Sequence, residues 1–121
     1  QSRRNRVGSM SVVKADEIKA TYSISYPTAV TSNGVTMTVT GPATAKDGET
    51  VTAKATFSGT ASGATTFTVG NVTPTWDATL PSGMTASSTT VTIAAGTAYL
   101  TAVEVLFTFT MGSSNVTITL A

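Results

Sequence analysis

The chain has no cysteine and no histidine. Without cysteine no disulfide holds the fold and no thiol can act as a nucleophile. Without either residue the usual zinc ligands are missing, and a Ser or Thr nucleophile lacks the imidazole base that normally activates it. Charge is scarce as well. Asp, Glu, Lys and Arg make up 11% of the sequence, against roughly 25% in ordinary globular chains. No Lys or Arg follows Lys54. No apolar run approaches the length of a bilayer span, and no signal-peptide pattern opens the sequence.

What fills the chain is threonine, 27 of its 121 residues. Thr is a β-branched strand former that still offers water a hydroxyl. The pattern implies a surface kept wet by Thr, Ser and Asn rather than by Lys and Glu. That composition suits extracellular modules, pilus subunits and virion proteins. Hydrophobic residues reach 40% and the mass is 12.3 kDa, which fits one domain with a real core.

The apolar residues recur at every second position. The clearest case is Ala102 to Met111, where Val103, Val105, Phe107, Phe109 and Met111 alternate with Glu104, Leu106, Thr108 and Thr110. Only a strand puts alternate side chains on opposite faces, so a half-buried central strand is expected here. The same rhythm marks Tyr22, Ile24 and Tyr26, then Val35, Met37 and Val39, and then Val51, Ala53, Ala55 and Phe57. It continues in Phe67 and Val69, in Trp76, Ala78 and Leu80, in Val91 and Ile93, and in Val116, Ile118 and Leu120. Between these runs stand Ser32-Asn33-Gly34, Lys46-Asp47-Gly48, Pro81-Ser82-Gly83 and Gly112 to Asn115, all turn signals. The run from Ser58 to Ala64 is small and Gly-rich and reads as a loop. About eight short strands with turns every 8–12 residues or so describe an all-β sandwich or barrel.

The first 19 residues differ from the rest. Arg3, Arg4, Arg6, Lys14 and Lys19 stand against Asp16 and Glu17, net +3. Residues 20–121 carry two lysines against four acids, net −2. Residues 1–19 are therefore read as a basic arm and residues 20–121 as the folded domain. Ser11 to Ala20 has apolar residues at Val12, Ala15 and Ile18, which suits a short capped helix; an extended arm laying Val12, Val13 and Ile18 on another subunit suits it equally. The charge run alone describes a solvated tail. With its apolar neighbours it describes an arm that docks on an acidic surface. Three arginines without interleaved aromatics argue against nucleic acid.

Two stretches resemble known families. Gly41 to Phe57, with its Gly-bearing turn ahead of an alternating strand, resembles the entry to the second strand of bacterial immunoglobulin-like domains. Leu80-Pro81-Ser82-Gly83-Met84, followed by Ser88 to Ile93 and the long strand after it, is similar to the Leu-Pro-x-Gly-Leu motif of cadherin-like surface modules. The chain departs from that second pattern after Ile93, where Ala94-Ala95-Gly96-Thr97 replaces a Gly-Thr-Pro element. The resemblance implies an immunoglobulin-like antiparallel β-sandwich of about seven to eight strands. It also implies an extracellular, cell-surface or virion setting, and it carries over no functional residue.

Few residues offer chemistry. General acid–base catalysis needs two titratable groups held together with separated pKa values. Asp16 and Glu17 lie on the arm, Asp47 and Glu49 flank a turn glycine, and Asp77 and Glu104 are phased outward. This argues against an enzyme, and no cofactor is expected. Asp47, Glu49 and Asp77 would have to converge to bind calcium, but turn acids usually cap backbone N–H groups. Lys54 and Glu104, both outward, do not suggest a buried Lys–Asn isopeptide bond. Trp76 shares its phase with Ala78 and Leu80 and is expected in the core. Asn71-Val72-Thr73 and Asn115-Val116-Thr117 match the N-glycan acceptor pattern. Leu106 lies on the polar face of its strand and marks a surface that a neighbour would cover.

The function expected from the sequence is a non-enzymatic structural subunit of an extracellular or viral assembly, with a phage decoration or tail module favoured. Arg3, Arg4, Arg6, Val12, Val13, Ile18 and Leu106 are its candidate partner-binding residues, and its partners are other proteins in an oligomeric assembly. The alternatives are a pilus or filament subunit using strand donation, and an adhesion or carbohydrate-contacting module.

Overall fold

A computed structural model describes residues 19–99 and 103–121. Thirteen strands occur among the described residues: β1 (Thr21–Ser25), β2 (Val30–Ser32), β3 (Val35–Thr40), β4 (Thr44–Lys46), β5 (Thr50–Thr60), β6 (Thr65–Gly70), β7 (Thr75–Trp76), β8 (Met84–Ser87), β9 (Thr90–Ile93), β10 (Ala98–Tyr99), β11 (Glu104–Thr110), β12 (Val116–Thr117) and β13 (Thr119–Leu120). No helix is found among them.

The strands form three sheets. The largest has the order β2-β3-β5-β11-β7, with β10 also beside β5. A second has the order β13-β6-β9-β8, and a small third has β12-β1-β4. Neighbours pair antiparallel, except that β1 and β12 pair parallel, Ile24 opposite Val116. The result is all-β and sandwich-like. Phe57 of β5 meets Phe67 of β6 edge to face at 6.2 Å between ring centroids, so the inner faces of the two larger sheets touch there.

The two-residue rhythm decides which side chains go inside. Val35, Met37 and Val39 of β3, Val51, Ala53, Ala55 and Phe57 of β5, and Val105, Phe107 and Phe109 of β11 are all buried. So are Phe67 and Val69 of β6 and Val91 and Ile93 of β9. Each such side chain, taken out of water, contributes roughly 1.5–3 kcal/mol to folding. Thr38, Thr52 and Thr108 lie between them on the opposite face.

Three expectations fail, each for a local reason. Ser58 to Ala64 is not a loop throughout, because β5 continues to Thr60 and pairs Gly59 with Val35 and Tyr99. Gly59 has φ +97, and a Cβ there would run into the Gly34 carbonyl oxygen. Trp76, Ala78 and Leu80 do not share a strand. Asp77 Oδ1 accepts the Thr79 N–H at 3.0 Å, a turn that bends the chain after Trp76 and leaves Ala78 exposed. Val116 to Leu120 is broken at buried Ile118, where the chain passes from β12 in one sheet to β13 in another. The short strands β2, β4, β8 and β10 carry too few apolar residues to show a rhythm.

Two devices hold the chain at its bends. Asn33 (φ +49) and Gly34 (φ +82) make the tight turn of the β2–β3 hairpin. The Asn33 side chain donates to the Ala64 carbonyl at 3.1 Å, tying that turn to the start of β6. Beyond β1, the Tyr26 hydroxyl donates to the Pro42 carbonyl at 2.8 Å, directly over Gly41, where any Cβ would strike the phenol.

Replacing Gly59 with Ala should destabilise the fold by about 2 kcal/mol or more, from the unfavourable φ and the blocked approach to Gly34. Urea unfolding would measure it. Burial raises the Tyr26 phenol above its ordinary pKa. The unfolded chain therefore gives up this proton first, and stability should fall as pH rises above about 10. Tyr26→Phe should flatten that alkaline fall while costing about 1 kcal/mol at neutral pH for the lost hydrogen bond. Melting temperatures of both proteins from neutral to alkaline pH test this.

Candidate functional site

The outer face of the largest sheet is built by register. Thr38, Thr56 and Glu104 lie in one row across β3, β5 and β11. The next row holds Thr40, Lys54 and Leu106, and the next Thr52, Thr108 and Thr75, the last from β7. Thr31, Thr36 and Ser58 form a further row, where Thr31 and Thr36 share a hydroxyl hydrogen bond of 2.7 Å. The face is thus a lawn of hydroxyls with one charge pair and one large apolar side chain.

That side chain is Leu106, 41% exposed and the exposed large hydrophobic among the described residues. It borders a mostly apolar hollow of about 280 Å³, lined by Thr52, Thr108, Phe107 and the Thr75–Asp77 segment. The hollow opens where β7 stops. Asp77 still donates its N–H to the Leu106 carbonyl at 3.0 Å, and then the chain turns away. A second hollow of about 250 Å³ lies on the same face, between Thr36, Thr38, Thr56 and Ser58.

Lys54 and Glu104 form an ion pair of 3.1 Å beside Leu106, each side chain more than two-fifths exposed. A pair so wet stabilises the monomer by no more than a few tenths of a kcal/mol. Trp76 stands at the other side of the hollow and is half-buried. Its ring packs on Phe107 at 4.9 Å, and its indole N–H donates to the Ser88 carbonyl at 2.8 Å. It closes the gap between the edge strand of one sheet and the β8–β9 turn of the other.

Two other acids hold turns. Glu49 Oε1 accepts the Lys46 N–H at 2.6 Å, and Asp77 holds Thr79 as above. No cluster of three or more His, Cys, Asp or Glu side chains that could hold a metal occurs among the described residues. The amides of the two asparagines that match the acceptor pattern are engaged. Asn71 Nδ2 donates to the Thr117 carbonyl at 2.8 Å, and Asn115 Oδ1 accepts the Ser23 N–H at 2.9 Å.

Of the partner-binding candidates, Leu106 lies on the face just described. Arg3, Arg4, Arg6, Val12, Val13 and Ile18 lie outside the described residues, as does all but Lys19 and Ala20 of the segment expected to be a short helix or an extended arm. Thr52, Thr75 and Thr108 were not distinguishable from other threonines in the sequence. Their grouping depends on which strands pair, and only the short β7 run hints at it. Among the described residues no helix is long and apolar enough to cross a membrane. Compared with protein-family models, with curated proteins and with solved structures, the chain matches none.

Trp76→Ala should cost about 2–4 kcal/mol, because it removes the ring packing and the indole hydrogen bond together. Trp76→Phe should keep much of the packing and cost about 1–2 kcal/mol. Thermal unfolding followed by circular dichroism ranks the two.

Proposed function

We propose that the chain is a non-enzymatic structural subunit of an extracellular or viral assembly, folded as an immunoglobulin-like β-sandwich and tied to its neighbours in part by the basic arm. A phage virion decoration or tail module is the favoured setting. The observation that carries this reading is the outer face of the largest sheet, a nearly uncharged field of threonines with Leu106 exposed in it. Such a face tolerates water and asks little desolvation energy of a partner, since hydroxyls re-form their hydrogen bonds across an interface. Glu49, Asp77 and Glu104 fit the same reading, the first two engaged in turns and the third in a wet surface pair.

Strand donation between subunits, as in a pilus or filament, is the second reading. It is favoured by β8, which is a sheet edge with no Lys, Glu or Pro between Met84 and Ser87. Edges of this kind accept an added strand through main-chain hydrogen bonds.

The test keeps the full chain and changes only the arm. Arg3, Arg4 and Arg6 are reversed to Glu, and Val12 and Val13 are replaced by Asp. Light scattering over a concentration series should show wild-type species larger than a dimer and at least a tenfold weakening of that growth in the variant, with an unchanged melting temperature. Full growth in the variant would end the arm's role.

A further inference from the structure

The tight turn of the β2–β3 hairpin is also the one Asn-Gly pair in the sequence. Glycine has no Cβ to shield its amide nitrogen, so in this pair the nitrogen reaches the asparagine carboxamide most easily. The Gly34 nitrogen gives its proton to water and bonds to Asn33 Cγ. The Cγ–Nδ2 bond breaks and ammonia leaves. Water then opens the resulting succinimide at either carbonyl, giving aspartate or isoaspartate, whose main chain runs through the side-chain carbon. Asn71 and Asn115 are each followed by valine, whose branched side chain crowds the attacking nitrogen.

The folded turn forbids this step. Asn33 (φ +49) and Gly34 (φ +82) form the two-residue loop between paired Ser32 and Val35, and two positive φ values make it a type I′ turn. The first central residue of such a turn has ψ of about +30°. At an L-residue that ψ swings the next nitrogen nearly opposite to Cβ, as far from Cγ as the bond allows. Three hydrogen bonds hold it there. The Asn33 carbonyl accepts from the Ser62 N–H at 2.9 Å and from the Ser62 hydroxyl at 3.1 Å, so the Asn33–Gly34 peptide cannot rotate without losing both. The carboxamide itself donates to the Ala64 carbonyl at 3.1 Å. The pair is also hard to replace. A Cβ on Gly34 would lie 2.7 Å from the Thr60 carbonyl oxygen, and position 33 needs a positive φ together with an amide donor.

We propose that Asn33 is a deamidation site that the fold keeps unreacted and that opening of the β2–β3 hairpin exposes to a one-way reaction. β2 is a three-residue edge strand paired with β3 alone, and both turn residues are exposed, so this hairpin opens before the rest of the sheet. Neither product closes it again. Aspartate turns an acceptor toward the Ala64 carbonyl in place of a donor. Isoaspartate adds a backbone atom to a two-residue loop and breaks the Ser32–Val35 register. A chain that has opened and reacted stays marked. The inference does not depend on the chain being an assembly subunit.

The full chain is held at mildly alkaline pH, in buffer and in guanidinium chloride, and then digested with trypsin. Residues 20–46 come off as one peptide, because no Lys or Arg lies between Lys19 and Lys46. Its mass should rise by one amide-to-acid exchange about tenfold or more faster in denaturant than in buffer. Gly59→Ala, whose Cβ pushes on the Gly34 carbonyl oxygen, should speed the reaction in buffer about threefold or more and leave the denatured rate unchanged. Asn33→Asp should melt below Asn33→Gly, which keeps the positive φ and loses only the tie to Ala64. Repulsion by that carbonyl raises the folded-state pKa of the new carboxyl, so the gap should close below about pH 4 and widen as pH rises through it. Equal rates in buffer and denaturant would mean that the turn protects nothing and would overturn the proposal. A converted chain that melts together with the unconverted one would overturn it too.

Discussion

The structure depends on the register of β5 between β3 and β11. The inward residues of β5 run Val51, Ala53, Ala55, Phe57, and each small one faces something large. Ala53 stands opposite Phe107, Ala55 is flanked by Val105 and Val39, and Val51 stands opposite Phe109. At the other end Phe57 stands beside Met37 and reaches across to Phe67. Large against small is what lets two flat faces interlock at the density of a protein interior. A slip of one residue in either ladder would turn Lys54, Thr52 and Thr56 inward and expose the whole apolar set. The same register fixes the outer face, because the rows of threonine, lysine and leucine are the reverse side of those pairings.

Several strand ends are held by backbone or polar contacts rather than by salt bridges. At the β4–β5 turn the Gly48 N–H donates to the Met111 carbonyl at 2.8 Å, and the Met111 N–H donates to the Glu49 carbonyl at 2.8 Å. Ala61 and Thr97 are joined in the same way. Tyr26 over Gly41, and Trp76 against Phe107 and Ser88, close two open margins of the core. A body with so few charges has to be fixed by hydrogen bonds that cost little to bury, and main-chain and hydroxyl groups supply them. Stability should then respond weakly to salt, since screening acts on exposed charges.

Much of this was legible in the residues. Alternation placed Val35, Met37, Val39, Val105, Phe107 and Phe109 inside, and it marked Leu106 as out of phase. It could not give the pairing order, because period-two patterns fit many partners equally well. Glycine misled at Gly59. A residue that reads as loop stands in a strand because two backbones pass too closely there for a Cβ. Trp76, Ala78 and Leu80 kept a perfect rhythm that Asp77 overrode with a local hydrogen bond to Thr79. The Asp-x-Thr spacing was the available signal, and a three-residue turn motif outweighed two apolar side chains at a sheet edge. The hollow beside Leu106 follows from that override, so no reading of the alternation alone would find it.

The parallel ladder between β1 and β12 has a consequence for how the protein is made. Ser23 and Asn115, joined there by a hydrogen bond, are 92 residues apart in sequence, and Ile24 pairs with Val116 close by. A ribosome synthesising this chain delivers β1 long before the strand it needs, and at about 5–20 residues per second the wait lasts several seconds. During that interval β1 has only β4 as a strand partner. The nascent polypeptide must stay soluble with one of its sheets unfinished, and its dense hydroxyl coat and lack of long greasy runs are well suited to that delay.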